Sequence, residues 1–324
     1  MSSIATAESP LQRTGLLGRF DRWLNVVPHP APVVEISAAY VAAARWNGDT
    51  LESSAVEPLE AGAVMPSPVE TNVTQPEGVR RALQRVFSRI GNLEGQCALL
   101  VPDPVIRVFI LPFETLPRKH DDALPLLRWR LKKSVPFDVE ETAVSWSRQQ
   151  ARDGSLEVVA AVARQKIVRE YEEIVESLGA SPTVVLSATL ATLPLVGDRG
   201  STLLLRMSGR ILTTAIVRGS TLCLYRSTEM PAASAQLDPK WMLEEIFPVA
   251  AYYQDTWGEN IERALFAGFE GRQDLFQSAF ENELKIPSRA LSGGEAALAL
   301  DGSARELLQH GLEPLVGWMA NAGA

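Results

Sequence analysis

Adjacent carboxylates stand at Glu140-Glu141 and Glu244-Glu245, the residue type that general acid–base chemistry requires. Neighbours in sequence point in different directions on a helix, whereas an acid–base pair needs side chains one turn apart, so both pairs read as surface charge. His29, His120 and His310 are isolated and none has metal-ligand spacing. Cys97 and Cys223 fall on separate predicted strands and read as buried free thiols, not as a disulfide or a metal site. No Ser-His-Asp or Cys-His constellation is present, so no catalytic residue and no metal ligand are assigned. Arg128, Arg130, Lys132 and Lys133 beside Trp129 have the composition of a nucleic-acid patch. Asp138, Glu140 and Glu141 follow at once, so an ordinary solvated face is expected and nucleic acid is not a partner.

The chain that must position any such groups has 324 residues, 46% of them apolar and 22% charged, which suits a globular protein of two lobes. A formal charge of -8 disfavours phosphate-coated partners. No run approaches the roughly 18 apolar residues that span a bilayer, and no secretory signal is visible, so a soluble protein of the reducing cytoplasm is expected.

Residues 1–32 form a tail in which Leu16, Leu17, Phe20, Trp23 and Leu24 repeat at helical spacing beside Arg13, Arg19 and Arg22. This basic amphipathic helix packs on the protein's own surface or touches a membrane, or a membrane-bound partner, peripherally. Pro28, Pro30 and Pro32 make a stiff linker. Strands are expected at 33–36 and 40–46, with a turn at Asn47-Gly48-Asp49, while 56–75 is loop-rich. A capping box from Thr74 to Glu77 opens a helix with Val79, Leu83, Val86, Phe87 and Ile90 on one face. Strands follow at 97–101 and 105–111 across a Pro102-Asp103-Pro104 turn. A helix then buries Leu124, Leu127 and Leu131, starts on Asp121 or Asp122, and stops at Lys132-Lys133 before the Pro136-Phe137 turn. Strands at 142–148 and 156–164 and a helix from Gln165 to Gly179 lead to the end of the first lobe near Leu195. The plan then restarts: strands at 202–207, 211–217 and 221–227, a helix at 239–256 with Leu243, Ile246, Phe247, Ala250 and Tyr253 on one face, a strand at 263–267, and helices at 271–283 and 303–320. Two copies of one strand-turn-strand plan indicate a duplicated actin-like α/β fold.

The stretch from His120 to Glu141, with the preceding Leu99-Leu-Val-Pro-Asp-Pro-Val-Ile-Arg-Val and the segment from Asp238 to Gly271, resembles PilM, the cytoplasmic actin-like family of the type IV pilus assembly platform. The resemblance implies a duplicated ribonuclease-H-like fold with a first lobe at 33–196, a small inserted subdomain at about 74–147 within it, and a second lobe at 197–324. It implies a scaffold at the inner face of the bacterial inner membrane. The scaffold holds the short N-terminal tail of a PilN-like single-pass protein between the large first-lobe subdomain and the inserted one, an extended-peptide mode suited to edge strands. Other pilus platform proteins, and further copies of the chain, are the remaining partners in that reading. The alternatives are a nucleotide-dependent actin-like ATPase, which needs intact phosphate loops, and the cytoplasmic domain of a type II secretion platform component.

Measured on that family's Asp-Ile-Gly pattern, the phosphate loops are degenerate. The first reads Glu35-Ile36-Ser37-Ala38-Ala39-Tyr40, with glutamate for the aspartate, Ser37 for the glycine and Tyr40 for a small residue. The second places Arg206-Met207-Ser208 there, followed by Gly209, and an arginine cannot ligate magnesium. The adenine-side glycines reduce to Gly268 and Gly271, with Phe269 between them, and a tight strand-to-helix turn explains these two as well. Glu35, Ser37, Ala38, Arg206, Ser208, Gly209, Gly268 and Gly271 therefore line a degenerate nucleotide cleft. No cofactor is expected and MgATP should bind weakly or not at all. Arg206 and Glu35 are expected to pair across the cleft in place of the ion.

Overall fold

The computed structural model describes residues 30–48, 50–230, 238–269, 271–298 and 300–320. The expected N-terminal amphipathic helix lies outside them. In chain order the first lobe contains β1 (Val33–Ile36), β2 (Tyr40–Asn47), β3 (Thr50–Pro58), α1 (Pro76–Arg89), β4 (Gly95–Val101), β5 (Arg107–Phe113), α2 (His120–Leu131), β6 (Thr142–Gln150), β7 (Leu156–Arg164), α3 (Gln165–Glu176), β8 (Ala180–Ser187) and α4 (Ala188–Thr192). The second contains β9 (Ser201–Ser208), β10 (Ile211–Arg218), β11 (Thr221–Glu229), α5 (Pro239–Trp257), β12 (Arg263–Ala267), α6 (Gln273–Glu283), β13 (Ser288–Ala290), α7 (Glu295–Leu298), α8 (Gly302–Gln309) and α9 (Glu313–Ala320).

Each lobe is built on one five-stranded sheet. The orders are β3-β2-β1-β4-β8 and β11-β10-β9-β12-β13, the same plan twice. In both, the first three strands form an antiparallel meander and the last two run parallel to the first. This is the duplicated actin-like α/β architecture. The central strands read as mostly apolar runs because both faces are covered: β1 is VVEI and fully buried, and β9, the middle strand of its sheet, carries the fully buried Leu203, Leu204 and Leu205.

Helices on one face of the first sheet, α1 and α3, bury Val79, Leu83 and Val86 and Ile167, Tyr171 and Val175 against β1, β2 and β4. In the second lobe Met242, Ile246 and Tyr253 of α5 and Phe276 and Phe280 of α6 do the same. The remaining faces of both sheets join in one core through α4, α8 and α9. The close packing there depends on Gly317, since a Cβ at that position would stand 2.1 Å from the Ala191 carbonyl oxygen.

Several local expectations differ from the structure. Helix α1 has Gln75 at its N-cap with no side-chain cap, because the Thr74 hydroxyl donates back to the Gly62 and Ala63 carbonyls instead. Helix α2 starts after Lys119 with no side-chain cap from Asp121 or Asp122, and it buries Ala123, Leu127 and Leu131 while Leu124 is only half-buried. On α5 Phe247 faces outward, 53% exposed, and Met242, Val249 and Trp257 take the core face. The final helical stretch is broken into α8 and α9 around Gly311. The inserted unit is the three-stranded antiparallel sheet β5-β7-β6 with α2 packed on it through Leu127, Leu131, Val158, Ala160 and Val162. It therefore runs from β5 to β7, not from 74 to 147: α1 packs on the main sheet and β4 is a strand of it, paired in parallel with β1 and β8. Among the described residues no helix is long and apolar enough to cross a membrane.

Candidate functional site

Two strands carry the charged residues that face each other between the lobes. Glu35 lies on β1 and Arg206 at the equivalent end of β9, and both are almost fully buried. The expected pair forms: Arg206 Nη2 donates to Glu35 Oε1 at 3.3 Å. Arg206 Nη1 also donates to Asp103 Oδ2 at 3.4 Å, so one guanidinium serves two carboxylates. Tyr40 Oη donates to Glu35 Oε1 at 3.1 Å.

Asp103 is the hub. It follows β4 in a short 3₁₀ turn and accepts from the Thr189 amide at 2.8 Å, Thr189 Oγ1 at 2.6 Å, Thr213 Oγ1 at 2.9 Å and Tyr225 Oη at 3.0 Å, besides Arg206. Thr189 is in the first lobe, and Thr213 and Tyr225 are in the second, so this carboxyl ties the two together. Glu313, at the start of α9, is buried and accepts from the Gly268 amide at 3.0 Å.

Burial dominates the titration of this cluster. It pushes the Glu35 carboxyl from 4.5 up to about 7, against the lowering effects of Arg206 and of the Tyr40 hydroxyl and with help from Glu313 and Asp103. It raises Glu313 as well, again against Arg206. Burial opposes the charge on Arg206, yet Asp103 and Glu35 together hold its guanidinium above the usual arginine range. All three are raised, which favours the neutral acid on Glu35 and Glu313 and the charged form of Arg206, because Arg206 gains from several carboxyls at once whereas each carboxyl has a share of one cation. The phenols of Tyr40 and Tyr225 are raised by burial and by their carboxylate neighbours.

Glu35, Arg206 and Gly268 are thus linked through this cluster, but the other loop residues serve their own turns. Ser37 Oγ accepts from the Ala39 and Tyr40 amides at 3.1 and 2.9 Å and donates to the Tyr40 carbonyl at 2.9 Å. The Ser37, Ala39 and Tyr40 N–H groups, of the kind a phosphate loop would present, are bonded inside the loop, beside the half-buried Ala38. Ser208 and Gly209 make the β9–β10 hairpin turn, with Gly209 at φ +58°. Gly268 has φ +70°, and a Cβ there would lie 2.1 Å from the Met207 carbonyl oxygen, so glycine is required where the chain leaves the end of β12 beside the neighbouring strand β9. Gly271 has open space around it. Phe269 packs edge-on against Phe266 and Phe276, at 5.1 and 4.9 Å between ring centres, as core. Among the described residues no group of three or more His, Cys, Asp or Glu is placed to hold a metal ion. The reading of the residues missed Asp103, Thr189, Thr213, Tyr225 and Glu313. The one signal for Asp103 was an acidic residue locked between two prolines at a strand end.

Beside the cluster a groove of about 740 Å³ opens between the lobes and the inserted sheet. Its walls are the Pro66–Pro68 loop, residues 106–110 at the start of β5, and residues 223–227 of β11, with Tyr252 of α5 at its margin. Asp103 and Tyr225 belong to both the groove and the buried cluster. The loop wall is fixed by Asn72, whose side chain accepts from the Ser67 amide at 3.0 Å and donates to the Ser67 and Glu70 carbonyls at 2.8 and 2.7 Å. Tyr171 Oη and Glu170 of α3 hold Asn72 in turn.

No protein-family model and no curated protein matches the chain. Among solved structures it is similar to a chain of a PilM-PilN type IV pilus biogenesis complex, with a TM-score of 0.71 and 17% identity over 91% of this chain and 99% of that one. The cytoplasmic domain of EpsL, an inner membrane component of the type II secretion system of Vibrio cholerae, gives a TM-score of 0.47 and 12% identity over 73% of this chain and 81% of that one. The ethanolamine utilization protein EutJ from Carboxydothermus hydrogenoformans gives a TM-score of 0.47 and 10% identity over 94% and 98%. The first of these likenesses establishes the fold.

Proposed function

We propose that this chain is a cytoplasmic scaffold of the type IV pilus inner-membrane platform. In this reading it receives the short N-terminal tail of a PilN-like single-pass membrane protein in the groove where the Pro66–Pro68 loop faces β5, and it works without nucleotide turnover. The observation that supports it most is the fold shared along nearly the whole chain with a protein solved in a PilM-PilN complex. The groove adds a shaped, mostly apolar surface for an extended peptide. The pseudo-ATPase part rests on the cleft: a guanidinium bonded to Glu35 and Asp103 stands between the two hairpins, and the Ala39 and Tyr40 amides of the first loop are bonded to Ser37.

Calorimetry of the full chain tests both parts. Titration with a synthetic peptide covering the cytoplasmic tail of the PilN-like protein from the same organism should give saturable 1:1 binding, unchanged by MgATP. Titration with MgATP alone should give no saturable heat. Absence of peptide binding overturns the scaffold reading, and tight magnesium-dependent ATP binding overturns the nucleotide-free one.

A further inference from the structure

Helix α2 is the outermost layer of the inserted unit. Side chains alternate along β7, so Val158, Ala160 and Val162 pack with Ala123, Leu127 and Leu131 of α2, while Val159, Ala161 and Ala163 join the cores of the main sheets. The helix face opposite Leu127 therefore looks away from both lobes. It carries Leu126, Trp129 and Arg130 at i, i+3 and i+4, with Leu126 43% and Trp129 73% exposed. An indole left in water beside a second apolar side chain marks a contact surface, because tryptophan is otherwise a mostly buried residue.

Charge says what the contact is with. Between residues 118 and 133 the chain has six cations and two carboxylates, within a protein of formal charge -8. The acidic residues that follow in sequence do not neutralise this face. Glu140 pairs with Arg128 at 3.2 Å on the flank of the helix, Glu141 pairs with Arg164 of β7 at 3.4 Å, and Asp138 accepts from the Glu140 amide at 3.0 Å. Arg130, Lys132 and Lys133 are exposed and have no carboxylate partner among the described residues. Asp121 and Asp122 stand in the first turn, at the other end of the helix from these cations, where Asp121 lies 3.6 Å from His120 Nδ1.

The face is also held in place. The His120 ring stacks on Trp146 of β6 at 4.4 Å between centres, and Arg148 donates to the Leu116 and Pro117 carbonyls just before the helix. An indole and a leucine flanked by free cations on a preformed, protruding face fit the surface of an anionic bilayer: the ring enters the headgroup region and the cations meet lipid phosphate. A nucleic-acid backbone would satisfy the cations and leave Leu126 and Trp129 in water.

We infer that the outer face of α2 is a docking surface for an anionic phospholipid bilayer, with Leu126 and Trp129 as the apolar anchor and Arg130, Lys132 and Lys133 on the phosphates. The inserted unit then has a membrane contact of its own, separate from the groove and from whatever the groove holds.

The test is cosedimentation of the full chain with vesicles of phosphatidylcholine, alone or mixed with phosphatidylglycerol. Binding should be at least about tenfold stronger to the anionic vesicles and should weaken with added salt. Trp129→Ala should lower it about tenfold, and the triple variant Arg130→Glu, Lys132→Glu, Lys133→Glu about a hundredfold, at roughly fivefold for each cation. Both variants should melt close to the parent because all four side chains are exposed. An environment-sensitive fluorophore on Ser134→Cys reports the face directly, since Ser134 is exposed while Cys97 and Cys223 are buried. Its emission should rise on anionic vesicles, and the same label on Ser278→Cys of α6 should not respond. Variants that bind as well as the parent, or a silent label at 134, overturn the inference and assign any binding to another part of the chain, such as the basic segment before Pro30. Capture of a duplex oligonucleotide that the triple variant abolishes, with no response to vesicles, overturns it in favour of nucleic acid. Vesicles carry no protein, so none of these results depends on whether the groove takes a peptide.

Discussion

Replacing Glu35 by glutamine should stabilise the protein at about pH 8 and leave it nearly unchanged near pH 4. Burial is the largest influence on the carboxyl and carries it from 4.5 to about 7. An acid whose pKa is raised by folding binds more protons folded than unfolded between those values. Its favourable state is therefore complete below about pH 4.5 and is lost as the pH rises through about 7. The interval, about 7 less 4.5, is roughly 2.5 pH units, and at about 1.4 kcal/mol each it corresponds to about 3.5 kcal/mol. Glutamine keeps the shape and can still accept from Tyr40 and Arg206, but it has no charge to desolvate. Urea unfolding followed by tryptophan fluorescence, from about pH 4.5 to 8, should show stability falling with pH in the parent and a flatter profile in Glu35→Gln. The gap between them should open to about 3.5 kcal/mol. Some slope remains in the variant because burial raises Glu313 in the same direction. Parallel profiles, or a glutamine variant weakened equally at every pH, would show that the attraction of Arg206 outweighs desolvation and refute the reasoning.

The same cluster predicts that Arg206→Met is severely destabilising, by about 3–5 kcal/mol in urea midpoints, because Glu35 and Asp103 lose their buried cation. Gly268→Ala should cost at least ~1 kcal/mol by the same measurement, since φ is +70° and the new Cβ would meet the Met207 carbonyl. In the inserted sheet Leu127→Ala should cost about 2–5 kcal/mol, as the side chain is fully buried. Trp129→Ala on the opposite face of the same helix, 73% exposed, should stay within about 0.5 kcal/mol, and equal losses for the two would contradict the assigned face.

The meanders were legible because their signals are local: alternating apolar runs interrupted by glycine turns such as Ser208-Gly209-Arg210 and Arg218-Gly219-Ser220. Two strands of the first sheet were not. Every residue of β3 is at least partly exposed, so it carries no buried stripe to recognise. Strand β8 contains Pro182, which is tolerated because β8 is an edge, and its pairing with β4 shifts at that point. The boundary of the insertion failed for a related reason. Residues 97–101 and 105–111 around Pro102-Asp103-Pro104 look like a hairpin, but β4 pairs in parallel with strands far away in sequence, and β5 leaves for another sheet. Long-range parallel pairing leaves little trace in a local window.

The pair of Glu35 and Arg206 was legible because a duplicated fold puts the ends of β1 and β9 opposite each other, and a charge reversal at one of two equivalent positions then implies a partner at the other. Asp103 and Glu313 lie outside the duplicated hairpins and had no such frame. Their placement changes what the cleft does. Asp103 and Glu35 each accept from groups in both lobes, so the lobes are joined by charge-assisted bonds in addition to the shared apolar core. Because Tyr225 reaches from the groove wall to Asp103, the geometry that closes the cleft also sets the spacing between β11 and the first lobe. A groove with walls on both lobes keeps its shape only if the lobes keep theirs. Fixing them with residues of the chain itself makes the groove preformed, which lowers the ordering cost that an extended peptide must overcome to bind.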